Sequence, residues 1–385
     1  MSNTTDKTPE VVRVPVSFAA LDPWLESNIV SPKETVVRGK DLVEWGDHNA
    51  YPDYLMDLTK TVTSLGTIIS GTTDFVAGDD ISIQPLHAGF ENGQMNYKGD
   101  LITEQVEDLA RNVLTYGGMA LQIIRGRDGS PAEVYFIDLR YLRMNKEGDV
   151  FYYSEKWGRT GTKDTVVYPA FRSDVKDKWF SMSDEERNRH ASSILLVKTS
   201  RTQVYPSPCW AASVKACETE RLVDDYHLNA ISNGFSSSLI VNFNQGTPTD
   251  QVKEEIEADF SDKFCGPGNS GRVLFSWNPN KESATTVETP DITDFGEKYK
   301  ALAENSTKKI FTAFRAIPLL FGLTAGTSTG FSTDEFEQSF KLYNRTVVRP
   351  IQRMIADAYD KVYGVKGVLR ITPFSLNGTT ETTVN

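Results

Sequence analysis

The residue types able to do chemistry in this 385-residue chain are few and scattered. Four histidines, His48, His87, His190 and His227, and three cysteines, Cys209, Cys217 and Cys265, are the metal-binding and nucleophilic types. None of the histidines lies at metal-ligand spacing from another or from a cysteine, and there is no CxxC. Metal and dithiol chemistry therefore have no support in the spacing. The odd cysteine count argues against a disulfide framework and for a reducing compartment. Cys209 and Cys217 fall on one helical segment and read as small buried hydrophobes. Asp47 and His48 form an adjacent acid–base pair, but neighbours on a turn rarely converge on one substrate atom. Gly117, Gly118 and Gly129 invite a phosphate-loop reading. A helix precedes them and a strand comes after, the reverse of a nucleotide-binding turn. Glu254, Glu255, Glu257 and Asp259 supply carboxylates, yet they occupy the polar side of a helix whose Val252, Ile256, Phe260 and Phe264 recur every four residues.

Hydroxyls and cations are the remaining candidates. The segment Leu319–Phe331 carries Gly322, Gly326 and Gly330 and no Gly-Lys-Ser/Thr. Its Thr324, Thr327, Ser328 and Thr329 offer weak, rotatable hydrogen bonds of the kind that meet phosphate oxygens. Lys298, Lys300, Lys308, Lys309 and Arg315 precede it and could meet a duplex. Pairing with acids of a neighbouring copy is the alternative for them.

Two helices must position this loop. Phe295, Tyr299, Leu302, Ile310 and Phe314 recur at helical spacing before it, and Pro318 is expected to end that helix. Ser332 and Glu335 have capping-box spacing after it, followed by Phe336, Phe340 and Tyr343. Pro350 predicts a kink near Thr346–Arg349. Upstream, Tyr205-Pro-Ser-Pro208 is expected to open a helix of roughly 35–40 Å, with Ser207 as N-cap, running to Asn233-Gly234. Its apolar stripe (Trp210, Val214, Cys217, Val223, Leu228, Ile231) is thin and interleaved with Lys215, Glu218, Glu220, Asp224 and Asp225. Such a helix packs against something partial, and neighbouring copies of itself would serve. Between the two long helices, residues 238–243, 251–264 and 272–277 predict a small β-α-β-β unit. Residues 42–200 read as helices followed by a mostly antiparallel sheet. Tyr54, Leu55, Leu58 and Val62 share a face, and Gly66, Gly71 and Gly78 are expected to break the next stretch into short pieces. A helix carries Ile102, Val106, Leu109, Val113 and Leu114, ends at Gly117-Gly118, and leads into a hairpin at 119–138. Residues 1–35 are a polar tail, or an arm over Val11–Leu25.

Composition bounds the class. Net charge is −11, with 41 basic and 52 acidic residues and no Lys/Arg-rich run. Acidic walls repel phosphate, so passage of nucleic acid would be sliding rather than gripping. No segment has the ~18 consecutive apolar residues of a membrane span, and the N-terminus carries no apolar signal core.

Several landmarks recur together in a known order. They are the Trp45–Leu55 run (W-G-x-x-N-x-Y-P-x-Y-L), a helix followed by YGG, a strand, D-G-S-P, a strand and I-D, then F-C-G-P-G-N-S-G-R, and then IPLLFGLTAGTSTGFSTDEFEQSFKLYNRTVVRPIQRMI. In that order, over about residues 42–376, the chain resembles tailed-bacteriophage portal proteins. The resemblance implies an α+β portal fold. Residues 1–41 would be an N-terminal arm, 42–206 and 333–376 a wing, and 207–234 and 291–316 stem helices. Residues 235–290 would be a clip, 317–332 a tunnel loop and 377–385 a tail, with a minimal or absent crown. It implies a twelve-fold homo-oligomeric ring at one capsid vertex of the virion, assembled in the bacterial cytoplasm. Double-stranded DNA would pass through it without sequence specificity, packaged by the terminase large subunit and later ejected. A head–tail adaptor, the major capsid protein and scaffolding protein would be partners, with Glu254, Glu255, Glu257 and Asp259 as docking candidates on the clip. No catalytic, metal or cofactor residue is implied. The alternatives are another ring-forming phage structural protein, an adaptor or scaffold, and then a nucleic-acid-processing enzyme, which lacks a convergent set of acids and bases.

Overall fold

The computed structural model describes residues 32–37, 41–84, 93–157, 165–200, 203–232, 239–243, 249, 251–252, 273–277, 293–323 and 333–375. The predicted arm at 11–25, the capping Ser332, Cys265 and His87 lie outside them. The core begins with β1 (Glu34–Val36) and β2 (Val43–Trp45), then helices α1 (Tyr51–Thr61) and α2 (Thr63–Ala77) and strand β3 (Asp80–Ile83). Tyr54, Leu55, Leu58 and Val62 are buried together, as their spacing predicts. Gly66 and Gly71 do not break α2, which runs on to Gly78. They are places of close approach instead. A Cβ on Gly66 would come within 2.8 Å of the Thr59 carbonyl oxygen, and one on Gly71 within 3.0 Å of the Phe321 ring. Packing outweighs the modest helix cost of glycine here.

Helix α3 (Ile102–Tyr116) buries its predicted stripe, and Gly117 closes it in the left-handed conformation. The chain then forms β4 (Gly118–Arg125) and β5 (Pro131–Ile137), the expected hairpin. It does not continue as one meander. The Asp138 carboxylate accepts the Arg140 N–H at 2.9 Å and Asn112 Oδ1 accepts the Leu139 N–H at 2.9 Å. This pins a tight turn over Leu139–Tyr141 that redirects the chain. Strands β6 (Leu142–Met144), β7 (Val150–Tyr153) and β8 (Val166–Pro169) therefore join β1 and β2 in a five-stranded antiparallel sheet. After short helices α4 (Val175–Lys178) and α5 (Asp184–His190), strand β9 (Ser192–Lys198) returns to β4, giving a separate order β5-β4-β9.

Helix α6 spans Val214–Ser232, which corrects the start predicted at Pro208. The backbone at Ser207 is held against Gly117, where a Cβ would sit 2.1 Å from the Ser207 carbonyl oxygen. The chain turns at Cys209–Trp210 before the helix begins, leaving Cys209 exposed and outside it while Cys217 is buried within it. Strands β10 (Leu239–Phe243) and β11 (Val273–Trp277) pair in parallel, as a β-α-β crossover requires. The rest of 235–290 lies outside the described residues, apart from a few positions around 249–252.

Helix α7 (Thr293–Phe314) ends before Pro318, because Arg315 takes φ 54°. Helix α8 (Thr333–Tyr343) passes through a π turn at Asn344–Val348 into α9 (Arg349–Tyr363). That turn is the form the predicted kink takes: Pro350 has no N–H and would clash with the carbonyl four residues back in a regular helix. Strand β12 (Leu369–Thr372) closes on β3, antiparallel. The whole is a mixed fold of helices and mainly antiparallel sheet.

Candidate functional site

Helices α6 and α7 run antiparallel against one another. At one end the Trp210 ring stacks on Phe314 (6.4 Å, 18°) and its indole N–H donates to the Leu114 carbonyl at 2.9 Å. Val214, Cys217, Ile310 and Phe311 are buried beside them, so this end is rooted in the core. Further along, Tyr226 stacks on Tyr299 (4.4 Å, 22°) with His227 edge-on at 6.0 Å. Leu222, Leu228 and Leu302 there are 48%, 64% and 46% exposed, so these apolar side chains are uncovered within one chain. The α6 stripe therefore divides: its Trp210–Val223 part packs inside the protein and Leu228 does not, while on α7 Ile310 and Phe314 are buried and Leu302 is not.

The acidic residues of α6 behave differently from the sequence expectation. Glu218 and Glu220 are buried. Tyr54 Oη donates to Glu218 Oε1 at 2.7 Å, and Arg221 Nη2 donates to Glu218 Oε2 at 2.7 Å. Burial first, and then this carboxylate, push the Tyr54 hydroxyl pKa far up. Glu220 Oε1 accepts the Ser64 backbone N–H at 3.0 Å, and its Oε2 accepts the Thr307 hydroxyl at 3.3 Å. Ser64 lies in the first turn of α2, whose N-cap Val62 provides no side-chain acceptor. Glu220 thus caps α2 from a distant helix and ties α2, α6 and α7 together. Glu220→Ala is expected to cost about 1–2 kcal/mol and to speed amide hydrogen exchange at Ser64. Glu220→Gln, which retains an acceptor oxygen, should recover part of that protection.

The rooted, C-terminal end of α7 leads to the loop. Pro318–Phe321 form a single tight turn ending at Gly322, which is left-handed. The Phe321 ring meets Phe75, Phe311 and Tyr343 edge-on at 6.2, 5.9 and 5.7 Å. Beyond the loop, Phe340 and Tyr343 meet Phe75 from α8 at 5.6 and 6.2 Å. Tyr343 Oη and Thr72 Oγ1 share a hydrogen bond of 2.7 Å. Both ends of the loop are thus held on one aromatic cluster over α2. Thr324, Thr327, Ser328 and Thr329 themselves lie outside the described residues. So do Glu254, Glu255, Glu257 and Asp259, and the Lys298 side chain. Lys300, Lys308, Lys309 and Arg315 are exposed, and none forms an ion pair with a described residue.

Asp47 and His48 approach to 3.6 Å, both about half exposed, on a turn where His48 takes φ 53°. The following Asn49 explains the landmark around them. Its Oδ1 accepts the Trp45 N–H at 3.0 Å and the Arg143 Nε–H at 2.8 Å. Arg143 is fully buried, donates also to the Asn49, Arg140 and Leu142 carbonyls, and lies over the Trp45 and Trp157 rings at 5.8 and 4.9 Å. The motif therefore houses a cation in the core. Nothing in the spacing of residues 141–145 marks Arg143 in the sequence. Gly129 packs on the Trp179 ring, not on a ligand-sized space. Among the described residues no group of three or more His, Cys, Asp or Glu is placed to hold a metal ion, and no helix is long and apolar enough to cross a membrane.

A family model described as "Phage portal protein" matches residues 102–378. A curated relative, "Probable portal protein" of Haemophilus phage HP1 (strain HP1c1), is 22% identical over 290 residues, covering 74% of this chain and 77% of that one. Among solved structures, a chain from the virion of a native gene transfer agent particle aligns over 89% of this chain and 86% of its own. Its TM-score is 0.50 at 14% identity. A chain from the neck of the empty particle, computed with C6 symmetry, aligns over 92% and 90%, with TM-score 0.52 at 14% identity. These two solved structures share the fold of this chain.

Proposed function

Since the chain belongs to the phage portal protein family, whose members are structural components of the virion and not enzymes, we propose that copies of it close into a ring around a channel for double-stranded DNA. The observation that carries this is the antiparallel pair α6–α7. Its inner end is locked into the core by Trp210, Phe314 and Glu220, while Leu222, Leu228 and Leu302 on its outer stretch are left to water in a single copy. A second copy of the same helix pair is the covering surface that a ring supplies. In this reading residues 207–234 and 291–316 are the stem, 42–206 and 333–376 the wing, and 317–332 the tunnel loop. Residues 235–290, carried at the far end of the helix pair, are the clip. Its Glu254, Glu255, Glu257 and Asp259 face the terminase during packaging and a head–tail adaptor afterwards. Residues 1–41 reach over a neighbour. Capsid and scaffolding proteins surround the ring at one vertex of the particle, which assembles in the bacterial cytoplasm. Lys298, Lys300, Lys308, Lys309 and Arg315 on α7, and the hydroxyls of 324–329, line the DNA path. The net charge of −11 per copy keeps duplex from adhering to the remaining surface.

Native mass spectrometry and negative-stain imaging of the purified protein test this. The expected result is a multiple of the 43.0 kDa chain mass, with twelve copies and a central hole. A folded monomer at high concentration sinks the reading. Deleting Thr324–Thr329 is expected to leave ring mass unchanged while DNA packaging or retention falls. Unchanged retention removes the loop from the mechanism.

A further inference from the structure

Among the described residues, some arginines of this acidic protein are held by partners and others are not. Arg111, Arg140, Arg172, Arg187 and Arg221 each meet a carboxylate, and Arg125 and Arg143 are buried on carbonyl oxygens. Arg127, Arg189, Arg315 and Arg370 are exposed with no side-chain partner among the described residues, and so are three that share one helical stretch, Arg345, Arg349 and Arg353. These three fall in one row. On the opposite side of the same helical stretch Val348, Ile351, Gln352 and Ile355 are buried, so the core fixes which way the row faces. In a regular α-helix, residues four apart drift by about 40° per step. The π turn Asn344–Val348 holds more than four residues per turn, so the step from Arg345 to Arg349 runs back instead of forward. The drift partly cancels, and the three positions stay on one side of the helix over a rise of roughly 12 Å. Asp357 follows on the same face four residues after Arg353 without pairing to it, and Lys361 follows Asp357.

We propose that Arg345, Arg349 and Arg353 form a phosphate-binding ridge that contacts the backbone of double-stranded DNA. The inference rests on the channel reading above and assigns it a contact surface on the α8–α9 helix, distinct from the α7 lysines and the loop. Guanidinium forks suit phosphate oxygens, which they can meet with two parallel hydrogen bonds. Duplex DNA carries about one charge per 1.7 Å of axis, so a row of roughly 12 Å faces several phosphates. Contact through backbone alone carries no sequence preference, as DNA moving past a fixed surface requires.

The test uses the full-length protein and a fluorescein-labelled duplex of about 30 base pairs, with anisotropy read from about 50 to about 200 mM salt. The variant Arg345→Gln/Arg349→Gln/Arg353→Gln is expected to bind at least about tenfold more weakly at the low-salt end. The slope of log affinity against log salt should fall by up to about 2.7. The matching triple lysine variant should keep most of that slope, which also controls for misfolding of the glutamine variant. Ring mass and stain images should be the same for all three proteins. Several results overturn the ridge: unchanged binding by the glutamine variant, loss of ring assembly in it, no duplex binding by the parent protein, or displacement of the duplex by polyglutamate at equal or lower charge concentration. The last would make the row a dock for an acidic protein segment. A parent protein that forms rings but does not bind duplex removes the ridge and leaves the channel standing. A monomer that binds duplex through these arginines does the reverse.

Discussion

Replacing Arg143 by methionine is expected to destabilise the protein by about 3 kcal/mol, with the midpoint of urea unfolding shifted to lower concentration. The side chain is completely buried. Its four donated hydrogen bonds end on neutral oxygens, Asn49 Oδ1, Asn49 O, Arg140 O and Leu142 O, at 2.8–2.9 Å. Methionine fills much of the volume but leaves three carbonyls without these donors, each costing about 1–3 kcal/mol if unsatisfied. The aromatic faces of Trp45 and Trp157 would lose a cation as well. Burial pushes the guanidinium pKa down, to about 10, which leaves it charged at neutral pH. Below that value both folded and unfolded states hold this proton, so no pH dependence from this group is expected there. As the pH rises through the folded value the folded state sheds the proton first, and the penalty of burying the charge is relieved. Arg143→Lys keeps the charge but not the planar fork, and should remain well below the parent protein in stability. If lysine restores the parent midpoint, charge alone matters and the fork geometry does not.

The second large effect is at Gly117. Its φ is 82°, a conformation that costs any residue with a Cβ about 1 kcal/mol. That Cβ would also lie 2.1 Å from the Ser207 carbonyl oxygen and 2.8 Å from the Pro208 nitrogen, all of it backbone. The segment 206–208 cannot give way freely. Thr199 donates its hydroxyl and its N–H to the Gly117 carbonyl at 2.7 and 2.9 Å. Trp210, close along the chain, is locked against Leu114 and Phe314. Gly117→Ala is therefore expected to lose more than about 3 kcal/mol and to loosen the α6–α7 pair. Gly148 is the internal control. It has φ 74° and nothing within 4 Å of where a Cβ would sit, so Gly148→Ala should cost only the conformational term, about 1 kcal/mol. Equal losses at the two sites would show that the close approach to Ser207 is unimportant.

These two sites also show why parts of the fold are legible in the sequence and parts are not. The stripe of α3, its glycine stop, the β4–β5 hairpin and the interruption before Pro350 are all readable, because each depends on spacing or on one residue's backbone limits. The start of α6 is not, since Ser207-Pro208 has the composition of a helix start while its backbone is held by Gly117. Gly66 and Gly71 have the look of helix breaks. Their partners, Thr59 and Phe321, are set by how the elements cross.

What the amino-acid order determined alone is the family landmarks, the amphipathic faces and the lack of a convergent acid–base set among neighbours, all local or statistical properties of the chain. What only the tertiary structure decided is which polar residues go inside and which cations stay unpaired. Glu218 and Glu220 look like surface acids until Tyr54, Ser64 and Thr307 are brought to them. Arg345, Arg349 and Arg353 look like any helix arginines until the carboxylates prove to be elsewhere. The reason is physical: these hydrogen bonds and ion pairs join groups far apart in the chain, and their distances exist only once the elements have packed.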